Sequence, residues 1–163
     1  MKKDIIFLLL VLSMNIFGQK VYNFSLKSTD NNILSYNELK GENLTVIDFW
    51  ATWCKPCQQS IPIINKIHEE FRDKGLNVIG INIDNPRNYS KIKPFINSMG
   101  IQYPVLLDFD QEVMRDFNVF SIPVIFIINN KNEIVYIHEG YSPGDESDLK
   151  NEINNLLNNP DKK

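Results

Sequence analysis

Two thiols three positions apart, Cys54 and Cys57, are the only cysteines in the chain, and the apolar run Val46-Ile47-Asp48-Phe49-Trp50 places them where a buried strand hands over to a helix. A disulfide between them closes so small a loop that chain entropy yields roughly 2 kcal/mol before strain, the low end for a crosslink. Stapling is therefore a poor reason for the pair. A thiol at a helix N-terminus faces free N–H groups and the positive end of the macrodipole, which favours the thiolate and lowers its pKa. Reversible thiol–disulfide exchange requires such a thiol. The pair reads as a redox centre.

Other chemistry-bearing residues are few. Asp48 shares one side of its strand with Val46 and Trp50, and the positions between them are apolar too, so its carboxylate is expected to be buried at real cost. Burial should raise its pKa. Pro123 opens a late apolar run, where proline is tolerated because no ladder donor is yet needed, and residue statistics alone favour a trans Ile122–Pro123 bond. His68 and His138 are the only histidines. With the two cysteines they make four conceivable zinc ligands, but their spacing matches no zinc module, and no cofactor or metal is expected.

The elements that must position these groups read as alternating strands and helices from about residue 20, an α/β architecture with a mixed or parallel sheet. Runs 21–26 and 32–34 suggest a hairpin around Ser28-Thr29-Asp30-Asn31, and Ser35 to Gly41 resembles a capped helical turn. Strands are expected over 44–50, 76–83, 103–107, 123–128 and 134–138, the last two as a hairpin. Helices are expected over 56–74, 89–99, 111–117 and 146–157; Gly75 and Gly100 close the first two, and Pro62 should kink the first.

The 163 residues, 43% of them hydrophobic, fit a single globular domain with a sizeable core. A net charge of -3 gives no basic footprint for nucleic acid and argues against an electrostatic role at anionic lipid. Residues 1–18 stand apart: Lys2-Lys3 precede the apolar run Ile5 to Leu12, and the small Gly18 precedes Gln19. This pattern predicts a secretory signal over 1–18 and a domain over 19–163. Fourteen residues between Asp4 and Gln19 fall short of the roughly 20 that a spanning helix needs, and no nearby cysteine could carry a lipid. If the signal stays uncleaved, residues 1–18 are the only membrane contact. The expected location is exported and periplasmic, an oxidising compartment where keeping thiols reduced takes an electron donor.

The string Phe49-Trp50-Ala51-Thr52-Trp53-Cys54-Lys55-Pro56-Cys57, with Pro62 five residues on and Ile122-Pro123 opening a late strand, resembles the thioredoxin superfamily, and within it the exported TlpA/ResA-type thiol–disulfide oxidoreductases. The resemblance spans nearly the whole of residues 19–163. It implies a thioredoxin-like fold, a central mixed sheet flanked by helices, with an N-terminal β-hairpin and an inserted strand–helix segment around 76–99. It further implies that Cys54 is the exposed nucleophile, that Cys57 resolves the mixed disulfide, and that the intervening Lys55 and Pro56 tune their chemistry. Asp48, six residues before Cys54, matches the buried aspartate that assists proton movement at Cys57. Many TlpA/ResA-type proteins carry Asn near that position and Glu just after the motif; here Gln58, Gln59 and Ser60 follow it. The resemblance also reverses the expectation for Ile122–Pro123 to cis, facing the disulfide, with the Ile122 backbone pairing with substrate and Trp53 lining the same surface, while Trp50 is core.

The implied activity is reduction of disulfides in exported proteins, possible substrates including apocytochrome c, with a membrane thiol protein as electron donor. A disulfide-forming oxidant uses the same motif, and a non-catalytic binding module of the same fold is the alternative from another class. Copper-carrying relatives usually separate their cysteines by three residues, whereas two separate them here. Peroxidases of the superfamily need Pro and Thr where this chain has Ile47 and Ala51.

Overall fold

The computed structural model describes residues 18–159. The expected signal over 1–18, Gly18 aside, and the end of the polar tail, 160–163, lie outside the described residues.

Among the described residues seven strands and five α-helices follow one another as β1 (Ser25–Ser28), β2 (Ile33–Ser35), α1 (Tyr36–Leu39), β3 (Leu44–Trp50), α2 (Lys55–Phe71), β4 (Leu76–Asn82), α3 (Tyr89–Met99), β5 (Val105–Leu107), α4 (Glu112–Asp116), β6 (Val124–Asn129), β7 (Ile134–Glu139) and α5 (Asp145–Asn158). The strands form one sheet in the order β2-β1-β5-β4-β3-β6-β7. β3 runs parallel to β4, and β4 to β5, through helical crossovers; β6 and the two hairpins pair antiparallel. This is the thioredoxin-like mixed sheet that the sequence implies, with β4 and α3 as the inserted segment.

Local chemistry accounts for the element ends. Ser35 caps α1 in a capping box, accepting from the Glu38 N–H while the Glu38 carboxylate accepts from the Ser35 N–H. A 3-10 turn, Arg72–Lys74, ends α2 at Gly75 with φ +78°, and Gly100 ends α3 with φ +62°, both in the left-handed region that glycine adopts without cost. α2 continues through Pro62 without interruption, and α3 through Pro94.

Two expected strands start two or more residues late. β1 begins at Ser25 rather than Val21, because residues 20–21 pair elsewhere: the Val21 N–H donates to the Asn132 carbonyl at 2.8 Å and Lys20 bridges Glu133. β5 begins at Val105, since Pro104 has no N–H for the ladder and only its carbonyl is used, accepting from the Gly80 N–H at 2.9 Å.

Every residue of β3 is buried, which fits a central strand covered on both faces. One apolar cluster joins Val46, Val78 and Ile127 to Ile64, Ile67 and Phe71 of α2 and to Leu149, Ile153 and Leu156 of α5. The other joins Ile47, Phe49, Ile79, Ile81 and Phe126 to Tyr36, Val113 and Phe117. Phe49, Phe117 and Phe126 meet there as a triad of tilted rings with centroids 5.0–5.8 Å apart. These clusters hold the C-terminal end of β3, and therefore the cysteine turn, in place. Replacing Phe49 with Ala is expected to cost about 3–5 kcal/mol and to lower the thermal midpoint by roughly 10 °C, read by calorimetry.

Candidate active site

Cys54 and Cys57 form a disulfide with an S–S distance of 2.02 Å and Cα atoms 5.3 Å apart. Cys54 is the N-cap of α2, with extended backbone angles, and its sulfur accepts the Cys57 N–H at 3.2 Å. An α-helix begins with N–H groups that have no intrahelical partner. Pro56, in the first turn, contributes none, so the sulfur sits against one of the remaining donors. This is the placement that stabilises negative charge on a thiolate.

One expectation needs correction. Cys54 is not an exposed thiol: 4% of its surface is accessible, against 0% for Cys57. Its sulfur folds back onto the helix end, and the residue belongs to the apolar cluster that includes Trp50 and Ile61. Of the two residues only Cys54 keeps any accessible surface.

The neighbouring residues sort into rim and floor. Lys55 and Pro56 are exposed, as is Trp53 at 61%. Trp50 is fully buried and stacks on Phe95 with ring centroids 5.2 Å apart, the core role expected of it. The Ile122–Pro123 bond is cis, in line with the resemblance. Pro123 is buried and Ile122 half-buried, immediately before β6, whose Val124 pairs with Phe49 of β3. That register brings the proline loop to the same end of the sheet as the cysteine turn. Phe120, two residues earlier in the loop, is 93% exposed, and its apolar type at a loop tip is the signal that could have singled it out.

Asp48 lies fully buried opposite Gly80 on β4 and Ile125 on β6. Its Oδ2 accepts the Tyr103 hydroxyl at a long 3.4 Å, and its Oδ1 has no partner. Desolvation outweighs that one hydrogen bond and pushes the carboxyl up to about 7. The same desolvation, with the neighbouring Asp48, raises Tyr103 well above its ordinary value. Sequence reasoning found the aspartate but not Tyr103, which lies 55 residues away.

The histidines lie apart. His138 pairs with Asp145 at 2.9 Å, and His68 packs edge-on against Tyr103. Among the described residues no three His, Cys, Asp or Glu side chains converge as a metal-ligand group. Also missed from sequence was a second buried carboxylate, Asp84, just past β4, which binds the backbone and hydroxyl of Thr52 at 2.8 Å each.

The sign of Asp48's effect on stability follows from its raised pKa. Between the ordinary value of 3.8 and about 7 the folded protein holds a proton that the unfolded chain releases, so stability falls as pH rises through that window and levels above it. Relative to Asp48→Asn, the wild type should lose up to about 1.4 kcal/mol for each pH unit there. Denaturant titrations of both proteins across the window check this.

Comparison with known proteins places the chain among thiol–disulfide oxidoreductases. Thioredoxin-like protein YneN of Bacillus subtilis is 34% identical over 82% of this chain and 77% of its own length. Thiol-disulfide oxidoreductase ResA of the same organism is 28% identical over 76% of this chain and 67% of its own. A Chlorobium tepidum chain assigned provisionally as a thiol:disulfide interchange protein DsbE superposes with a TM-score of 0.78 at 26% identity, covering 86% of this chain and 96% of that one. The AhpC/TSA family profile matches residues 17–137, from before the first strand into β7, and the chain therefore belongs to the AhpC/TSA family, on its thioredoxin-like ResA side.

Proposed function

We propose that this thiol–disulfide oxidoreductase acts as a reductase of disulfides in exported proteins. The observation that carries the reading is the Cys54–Cys57 disulfide at the N-terminus of α2, with Cys54 alone keeping a trace of surface. Kinship with ResA and YneN supports the class, and the predicted signal over 1–18 supports export.

In the reduced protein the Cys54 thiolate attacks one sulfur of a substrate disulfide, forming a mixed disulfide and releasing the other sulfur as a thiol that takes up a proton. Cys57 then attacks the Cys54 sulfur, giving up its own proton. Ionised Asp48 is the acceptor in this scheme, and a carboxyl at about 7 is matched to proton transfer at neutral pH. The second substrate sulfur leaves as a thiol, and the Cys54–Cys57 disulfide remains. A membrane dithiol donor restores the reduced state. Substrate lies along the rim, with its extended backbone beside Ile122 and its apolar side chains against Trp53 and Phe120, both exposed. Lys55 and Pro56 sit between the cysteines, where charge and helix geometry tune the pair. Apocytochrome c fits as one such substrate.

Cys54→Ser is expected to abolish reduction of insulin disulfides by dithiothreitol-coupled turnover. Cys57→Ser should instead accumulate a mixed disulfide visible by mass spectrometry. Wild type inactive in this assay would favour a binding module. A reduction potential near roughly -270 mV supports a reductase; one near -120 mV would make the protein an oxidant.

A further inference from the structure

Asp84 is fully buried, yet it lies outside the exchange chemistry just described. Its Oδ2 accepts the Thr52 N–H at 2.8 Å and the Asn82 amide at 2.8 Å. Its Oδ1 accepts the Thr52 hydroxyl at 2.8 Å and the Asn88 amide at 3.3 Å. Two bonds into each oxygen fit the acceptor-only, charged carboxylate. All four donors are neutral, so hydrogen bonding satisfies the group without cancelling its charge. Burying such a charge is costly, and nothing in the sheet ladder needs it, since the Ile83 N–H already ties β4's end to the Trp50 carbonyl at 3.0 Å.

What the charge holds is Thr52, two residues before Cys54. Thr52 is bonded at every polar atom: its N–H and hydroxyl to Asp84, and its carbonyl to the Gln58 amide in the first turn of α2 at 3.3 Å. The segment 52–58 is thus clamped on both sides of the reactive sulfur, from the end of β4 and from α2.

We propose that Asp84 is a positioning residue of the redox site: through Thr52 it fixes the approach to Cys54, and its uncancelled negative charge holds the cysteine pair toward the disulfide. A negative charge near Cys54 disfavours the thiolate, and the thiolate exists only in the reduced state. Removing the charge therefore favours reduction. Weakening the donors that offset it has the opposite effect.

The inference rests on the exchange reading above, and the test separates the two. Oxidised protein is equilibrated with reduced and oxidised glutathione, at a pH where the Cys54 thiolate is populated: protein disulfide plus two glutathiones gives protein dithiol plus glutathione disulfide. Asp84→Asn is expected to shift this constant about tenfold toward the dithiol, as one pKa unit at Cys54 would. Thr52→Val, which deletes only the hydroxyl bond, should shift it about threefold the other way, and Thr52→Ser should restore it. Should Asp84→Asn fail to fold, the Val and Ser pair carries the test. A wild-type disulfide that does not exchange with glutathione overturns both readings. Exchange with a constant that neither folded variant moves leaves Asp84 a structural carboxylate and overturns this inference alone.

Discussion

The bond from the Cys57 N–H to the Cys54 sulfur is the contact on which the rest of the site depends. It makes the reactive sulfur the cap of a helix, so that a group normally supplied by Ser, Thr, Asp or Asn is a redox atom instead. The helix then has two equivalent demands on that position: a hydrogen-bond acceptor for its first turn and negative charge for its dipole. A thiolate meets both, which is how an ordinary piece of backbone geometry becomes reactivity. Everything else in the fold works to keep that helix end in one place.

The burial of β3 is the means. Its seven residues have no exposed face, and α2 springs from its C-terminal end after a turn of four residues, Ala51 to Cys54. The turn is pinned at successive points by the Ile83 N–H on the Trp50 carbonyl, Asp84 on Thr52, and the Cys54 N–H on the Ala51 carbonyl. Cis Pro123 arrives at the same sheet end because β6 pairs antiparallel with β3. The site is therefore a corner where two strand ends, one helix start and one proline loop are fixed by the same core.

Two buried carboxylates in this corner differ in what surrounds them. Asp48 receives one long hydrogen bond and leaves an oxygen unpaired, so burial dominates and its proton is held to about 7. Asp84 receives four bonds and behaves as a fixed acceptor. Two buried carboxylates thus share one sheet end in different settings, one nearly unpartnered and one bonded at both oxygens.

Much of this was legible in the residues, where the determinants are local. β3 over Leu44–Trp50 and α3 over Tyr89–Met99 have the bounds that apolar spacing and the closing glycine predict, and Ser35 with Glu38 announces α1. The cysteine motif and Asp48 stood out because their types conflict with an apolar strand context. What stayed hidden depends on distant pairing. Val21 leaves the first hairpin for Asn132, Tyr103 reaches Asp48, and Asp84 reaches Thr52 across 32 residues, none of which a period or a spacing encodes. The burial of Cys54 was illegible for a related reason: a motif shows which atom reacts, but only the packed turn shows how little of it is left uncovered.

The central claim is that the start of α2 makes Cys54 an acidic thiol. The most direct measurement is titration of the reduced protein by thiolate absorbance, with Cys57→Ser used to isolate Cys54. A midpoint well below the ordinary value of about 8.5 is the predicted result. A midpoint at or above it would mean that burial, not the helix end, governs this sulfur, and would contradict the account.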